Sequence, residues 1–222
     1  MTLETILQRI GAYVDQDSTT PTGTDLTVRM SYVNQAYDEW ANSYEWRSLK
    51  RSYGLMASEA LSTISLPSDF SRLESPLMNW GDDGRIIPEE YELVEMADRR
   101  SYTTSDKYCY IEGNAASGYF MRLTKPIEAG SSVIFDYTIK PVELGSVGQT
   151  PLIDDPQFLV QRGIAYVLEA RGDSRFPQAK ADAEKLLGRM VENENAKYSG
   201  AKENTVRNYY KGIASKFRIG RG

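Results

Sequence analysis

The period of the apolar residues changes twice along the chain, from 3.6 to 2 and back again, and no single secondary-structure class can absorb that. Leu3, Ile6, Leu7, Ile10 and Val14 recur at helical spacing. Thr2 stands ahead of them as an N-cap and Glu4 in the first turn. Turn formers fill 15–24, after which Asp25 can cap a long helix reaching about Leu49, striped by Met30, Val33, Ala36 or Tyr37, Trp40 and Tyr44. From about Arg51 the period is that of strands, expected over 62–66, 72–80, 108–112, 119–124 and 132–140. The last is the clearest: Val133, Phe135, Tyr137 and Ile139 share one face, while Asp136, Thr138 and Lys140 lie mostly on the other. Between these strands Gly81-Asp-Asp-Gly84 reads as a hairpin-like turn, and Pro88–Met96 as a short helix with acids in its first turn. Helical spacing returns at Asp155-Pro156, with Val160, Ile164, Val167 and Leu168 as the buried stripe and Arg171-Gly172 as the stop. A final helix is expected over 177–197, burying Ala179, Ala183, Leu186, Leu187 and Met190.

The expected fold class is therefore α+β. Helices from both ends form a bundle (1–50 and 151–199), a β-rich domain (51–150) is inserted, and a basic C-terminal arm (200–222) follows. With 222 residues, such a chain removes roughly 70% of its unfolded surface from water, enough for a sizeable core.

Histidine is absent. That excludes Ser-His-Asp and Cys-His catalysis, the usual zinc sites, and the side chain best suited to proton transfer near neutral pH. The single cysteine, Cys109, lies in a strand-like stretch and reads as a buried thiol; alone it excludes an intrachain disulfide. Three acidic pairs remain, Asp82-Asp83, Glu89-Glu90 and Asp154-Asp155. Each has a structural reading, as a turn, a helix start and a cap. Two catalytic carboxylates would have to converge in one cleft with divergent pKa values, which adjacent residues do not achieve alone. No catalytic residue, metal ligand or cofactor is expected. No apolar run reaches membrane-spanning length and no signal peptide is read, so a protein used without export is expected.

Charge is unevenly placed. Residues 197–222 hold seven Lys or Arg against Glu203, a net +6, within a chain of net charge −5, so residues 1–196 carry −11. Val206, Tyr210, Ile213 and Phe217 fall at i, i+4, i+7 and i+11 among Arg207, Lys211, Lys216 and Arg218, after a flexible break at Ser199-Gly200. A docking arm, a nucleic-acid contact using Tyr209 and Tyr210, and a membrane-surface helix all suit that pattern.

The order of segments resembles the phage head–tail adaptor (connector) proteins, in their larger form with an inserted β-rich domain. The resemblance rests on Tyr32-Val-Asn-Gln-Ala-Tyr37, Glu45-Trp-Arg-Ser-Leu49, Leu66-Pro-Ser-Asp-Phe70, Arg122-Leu-Thr-Lys-Pro126, Phe135-Asp-Tyr137 with Lys140-Pro-Val-Glu-Leu144, Gly163-Ile-Ala165 and Arg171-Gly-Asp173. It implies a structural protein of the virion neck, assembled in the bacterial cytoplasm as a ring, commonly a dodecamer. Such a ring docks on the portal, receives the tail nozzle, stopper or other tail proteins, and lets double-stranded DNA pass. It also implies that the arm, with Arg207, Tyr209, Tyr210, Lys211, Ile213, Lys216, Phe217 and Arg218, meets the portal. Two other classes stand beside it: a nucleic-acid-binding module using the tail, and a carboxylate-only glycan hydrolase.

Overall fold

The computed structural model describes residues 1–81, 87–114 and 116–216, with side chains as far as Lys197. Helices and a curled sheet make the chain α+β. It divides into two compact units: Met1–Ser48 together with the chain from Glu143 onward, and Leu49–Val142.

The first unit holds α1 (Leu3–Val14), α2 (Gly23–Ser43), α3 (Gln157–Ala170) and α4 (Phe176–Lys216). Thr2 caps α1, its hydroxyl accepting from the Thr5 N–H at 3.4 Å. Leu3, Ile6, Leu7 and Ile10 are wholly buried, each contributing about 1.5–3 kcal/mol. α3 touches α1, α2 and α4. Its approach to α1 is close at Gly163, where a Cβ would come within 2.6 Å of Ile10 Cδ1.

Three helix boundaries differ from expectation. α2 begins after Thr22, and Asp25 falls in its first turn instead of capping it. α2 ends at Ser43, not near Leu49, because the Trp40 carbonyl is claimed by other donors. The Ser43 hydroxyl donates to it at 2.7 Å and the Trp46 indole N–H at 2.6 Å, where the Tyr44 N–H would have continued the helix. Trp46 then stacks on Trp40 with centroids 5.3 Å apart, and a 3-10 turn (Arg47–Leu49) follows. Third, α4 runs through Ser199-Gly200, where the sequence suggested a break. α3 starts within one residue of expectation: Pro156 is its N-cap, and Asp155 Oδ1 just ahead accepts from the Gln157 N–H at 3.0 Å. It stops at Gly172, whose φ of 64° a Cβ would resist.

The second unit is one eight-stranded sheet: β1 (Lys50–Met56), β2 (Leu61–Ser65), β3 (Phe70–Leu73), β4 (Leu77–Trp80), β5 (Glu89–Leu93), β6 (Tyr108–Asn114), β7 (Gly118–Ile127) and β8 (Ser132–Ile139). The strands run β1-β8-β4-β5-β6-β7-β2, and β3 also pairs with β8. β8 alternates as expected, with Val133, Phe135, Tyr137 and Ile139 buried. The strand expected over 72–80 is instead two, because Pro76 has no N–H to donate to a ladder. At the gap the Ser75 hydroxyl accepts from the Asp136 N–H at 2.9 Å, and the Glu74 N–H donates to the Asp136 carbonyl at 2.8 Å. β8 thus loses no backbone partner at Asp136.

The helix expected over Pro88–Met96 is not formed. Glu89–Leu93 is a strand, antiparallel to β4 through Leu77↔Tyr91 and parallel to β6 through Glu92↔Tyr108. Tyr91 is fully buried, and only a strand places it there while Glu90 and Glu92 stay exposed.

Candidate partner-binding surfaces

Two surfaces stand out, one in each unit. In the first unit, polar contacts tie α4 down just before its basic end. Glu194 is 3% exposed, yet its carboxylate accepts from the Arg47 N–H at 3.0 Å and pairs with Lys197 at 3.1 Å. Tyr44 donates to Asn195 Oδ1 at 2.5 Å, and Lys197 also reaches Asp154 at 3.1 Å. α4 then continues to Lys216, which amounts to about 28 Å of helix axis after Lys197. Of the arm residues, Arg207, Tyr209, Tyr210, Lys211, Ile213 and Lys216 lie on this helix. Phe217 and Arg218 lie outside the described residues, as do Asp82 and Asp83.

Further ion pairs brace the same unit. Arg29, buried on α2, reaches Asp15 at 2.5 Å and Asp25 at 3.0 Å, and Arg171 reaches Asp15 at 2.5 Å. Hydrogen bonding from Arg171, opposed by burial and reinforced by Arg29, holds the Asp15 carboxyl below its ordinary value. Arg162 and Tyr166 of α3 both bond Glu39 of α2, at 2.7 and 2.8 Å. These carboxylates act as braces.

In the second unit Glu89 and Glu74 are engaged in the same way. Glu89 sits 2.9 Å from Lys107 and 3.3 Å from Lys125; the Lys107 contact, against burial, holds its carboxyl low. Burial alone would raise the Glu74 carboxyl. Hydrogen bonds from Thr138, Lys50 and Arg72 outweigh it and bring the value down to about 2. Cys109 is completely buried, and burial pushes its thiol up to about 12. Among the described residues no cluster of three or more acids or thiols could hold a metal ion. No described helix is long and apolar enough to cross a membrane.

The second surface is an apolar patch on the outer face of the sheet, which the sequence reading missed. Register places Ser132 between Met56 and Trp80, and Ile134 between Gly54 and Met78. Met56 is 72% exposed, Ile134 41% and Trp80 37%. Ile134 was the available signal: it sits on the otherwise polar side of the clearest strand. Glu90, facing Met78 across β4–β5, borders the patch with carboxylate.

A family model described as SU10 adaptor protein matches residues 1–207. The chain belongs to that family. This bears out the resemblance to phage head–tail adaptors. The match spans both units and takes in Arg207, while Tyr209, Tyr210, Lys211, Ile213, Lys216, Phe217 and Arg218 lie beyond it. No curated protein matches the chain.

Proposed function

We propose that this protein is a structural subunit of the phage neck: a head-to-tail adaptor that assembles as a ring of identical copies, docks on the portal and presents an attachment surface to tail proteins. Membership of the adaptor family carries the reading. The engagement of Asp15, Glu39, Glu74, Glu89 and Glu194 in bracing contacts supports a structural role over a catalytic one. Residues 207–218 are the portal contact in this reading, with Tyr210, Ile213 and Phe217 as apolar anchors and Arg207, Lys211, Lys216 and Arg218 as steering charges. Tethering Glu194, Asn195 and Lys197 gives the basic end of α4 a fixed point of departure. The −11 carried by residues 1–196 suits a channel through which DNA passes without being held, since phosphate binding rests on cationic contacts.

The test is the composition of purified necks or portal complexes. Many copies per portal ring, twelve if the ring is a dodecamer, supports the reading. A single copy, or absence from the particle, overturns it. Tight, steeply salt-dependent DNA binding by the isolated chain would favour a nucleic-acid-binding module.

A further inference from the structure

Seven of the ten exposed large hydrophobic side chains found among the described residues lie in the sheet unit: Met56, Trp80, Ile87, Leu93, Met96, Ile134 and Val142. Three of them, Met56, Trp80 and Ile134, join Met78 in the outer-face patch. A contiguous apolar surface rimmed by charge marks a contact site.

Two lines of side chains on this unit are complementary. On the outer face of β4–β5, Trp80 lies at one end and the exposed carboxylates Glu90 and Glu92 run toward the other. Four residues of strand separate the levels of Trp80 and Glu92, about 13 Å. β1 stands at one end of the strand order, so it is an edge. It carries exposed Arg51 near one end, level with Tyr137, and exposed Met56 at the other, level with Ser132, about 17 Å apart and on opposite faces of the strand. An edge strand is approached side-on, so both of its rows of side chains are within reach of a neighbour. Apolar can thus meet apolar while cation meets carboxylate.

The two lines cannot meet within one molecule, because β8 and β4 stand between β1 and β5. Matching the edge of one copy to the face of the next uses different surfaces on the two partners. Such a heterologous contact repeats, and closes into a ring when its rotation allows. It would also cover a long, partly apolar edge strand, which otherwise invites uncontrolled pairing.

We infer that the occupant of the outer-face patch is a second copy of this chain: β1 of one subunit packs on β4–β5 of its neighbour, Met56 against Trp80 and Met78, Arg51 against Glu90 and Glu92. This rests on the ring reading proposed above and names its subunit contact.

Two sets of full-length variants test it in portal-bound assemblies, each first shown by circular dichroism to be folded. R51E and the double change E90K/E92K should each raise the concentration needed for ring formation by about tenfold or more, as like charges meet. The triple variant R51E/E90K/E92K should recover it. Separately, R51C/E92C should give a ladder of disulfide-linked copies under oxidation. The introduced thiols lie about 14 Å apart across three strand spacings within one chain, too far for an intrachain bond. Buried Cys109 stays silent. Rings that survive every charge reversal, with no ladder from R51C/E92C, overturn the contact and leave the ring standing. Rings that persist while tail proteins are lost assign the patch to the tail, and also overturn it. If the wild type forms no ring, both readings fail.

Discussion

Glu194 on α4 accepts a hydrogen bond from the backbone N–H of Arg47 at 3.0 Å, with its carboxylate almost wholly out of water. A contact spanning 147 positions of sequence thus pins α4 just before its basic end. Replacing Glu194 with Ala removes the acceptor and leaves a buried void. The expected cost is about 1–3 kcal/mol, read as a lower urea midpoint, while E194Q, which keeps an acceptor oxygen, costs less. Equal midpoints for E194A and wild type would show that the contact contributes nothing.

Glu74 makes acid stability predictable. Its folded value, about 2, lies below the ordinary 4.5, so its contribution is complete above pH 4.5 and fades as pH falls from there toward 2. E74Q should therefore be less stable than wild type at pH 7, by up to about 3 kcal/mol, with the gap narrowing steadily below pH 4.5. Urea midpoints at pH 7, 4.5 and 3 measure this. A gap independent of pH would rule out the ionic contribution.

Cys109 should be inert in the native protein. With its thiol raised to about 12 by burial, almost no thiolate exists at pH 8. Labelling with a thiol reagent should be negligible until denaturant unfolds the sheet unit, then complete. Rapid native labelling would contradict the burial.

Gly11 sets helix propensity against packing. An exposed Gly→Ala change inside a helix gains roughly 0.5–1 kcal/mol. Here the new Cβ would stand 2.6 Å from the Asp17 carbonyl oxygen, a backbone atom that cannot swing away. G11A should lower the melting temperature; an increase would show that the 15–24 loop yields at little cost.

Deleting residues 200–222 should leave a folded body that no longer joins the portal. Reversing only Arg207, Lys211, Lys216 and Arg218 should slow association and weaken it less, since flanking charge steers and apolar anchors hold. Co-purification with portal measures both. Normal incorporation of the truncated chain would show that attachment lies elsewhere.

The sequence by itself determined the mixed class, α1 and its Thr2 cap, the start and stop of α3, and the alternation of β8. In each of these the deciding information is local: spacing puts the apolar residues on one face, and a neighbouring side chain satisfies the terminal backbone groups. It also determined the basic C-terminal end and the exclusion of histidine chemistry, because composition alone suffices for both.

Tertiary structure decided the rest. Pro88-Glu-Glu-Tyr-Glu-Leu has a helix-like local signature, and only the seat beside Leu77, built by another strand, makes it β5. α2 stops at Ser43 because Trp46 folds back onto the Trp40 carbonyl. Met56, Met78, Trp80 and Ile134 are scattered along the chain and meet only through strand register. Pairing energies of this kind come from residues far apart in sequence, so no window of local pattern contains them.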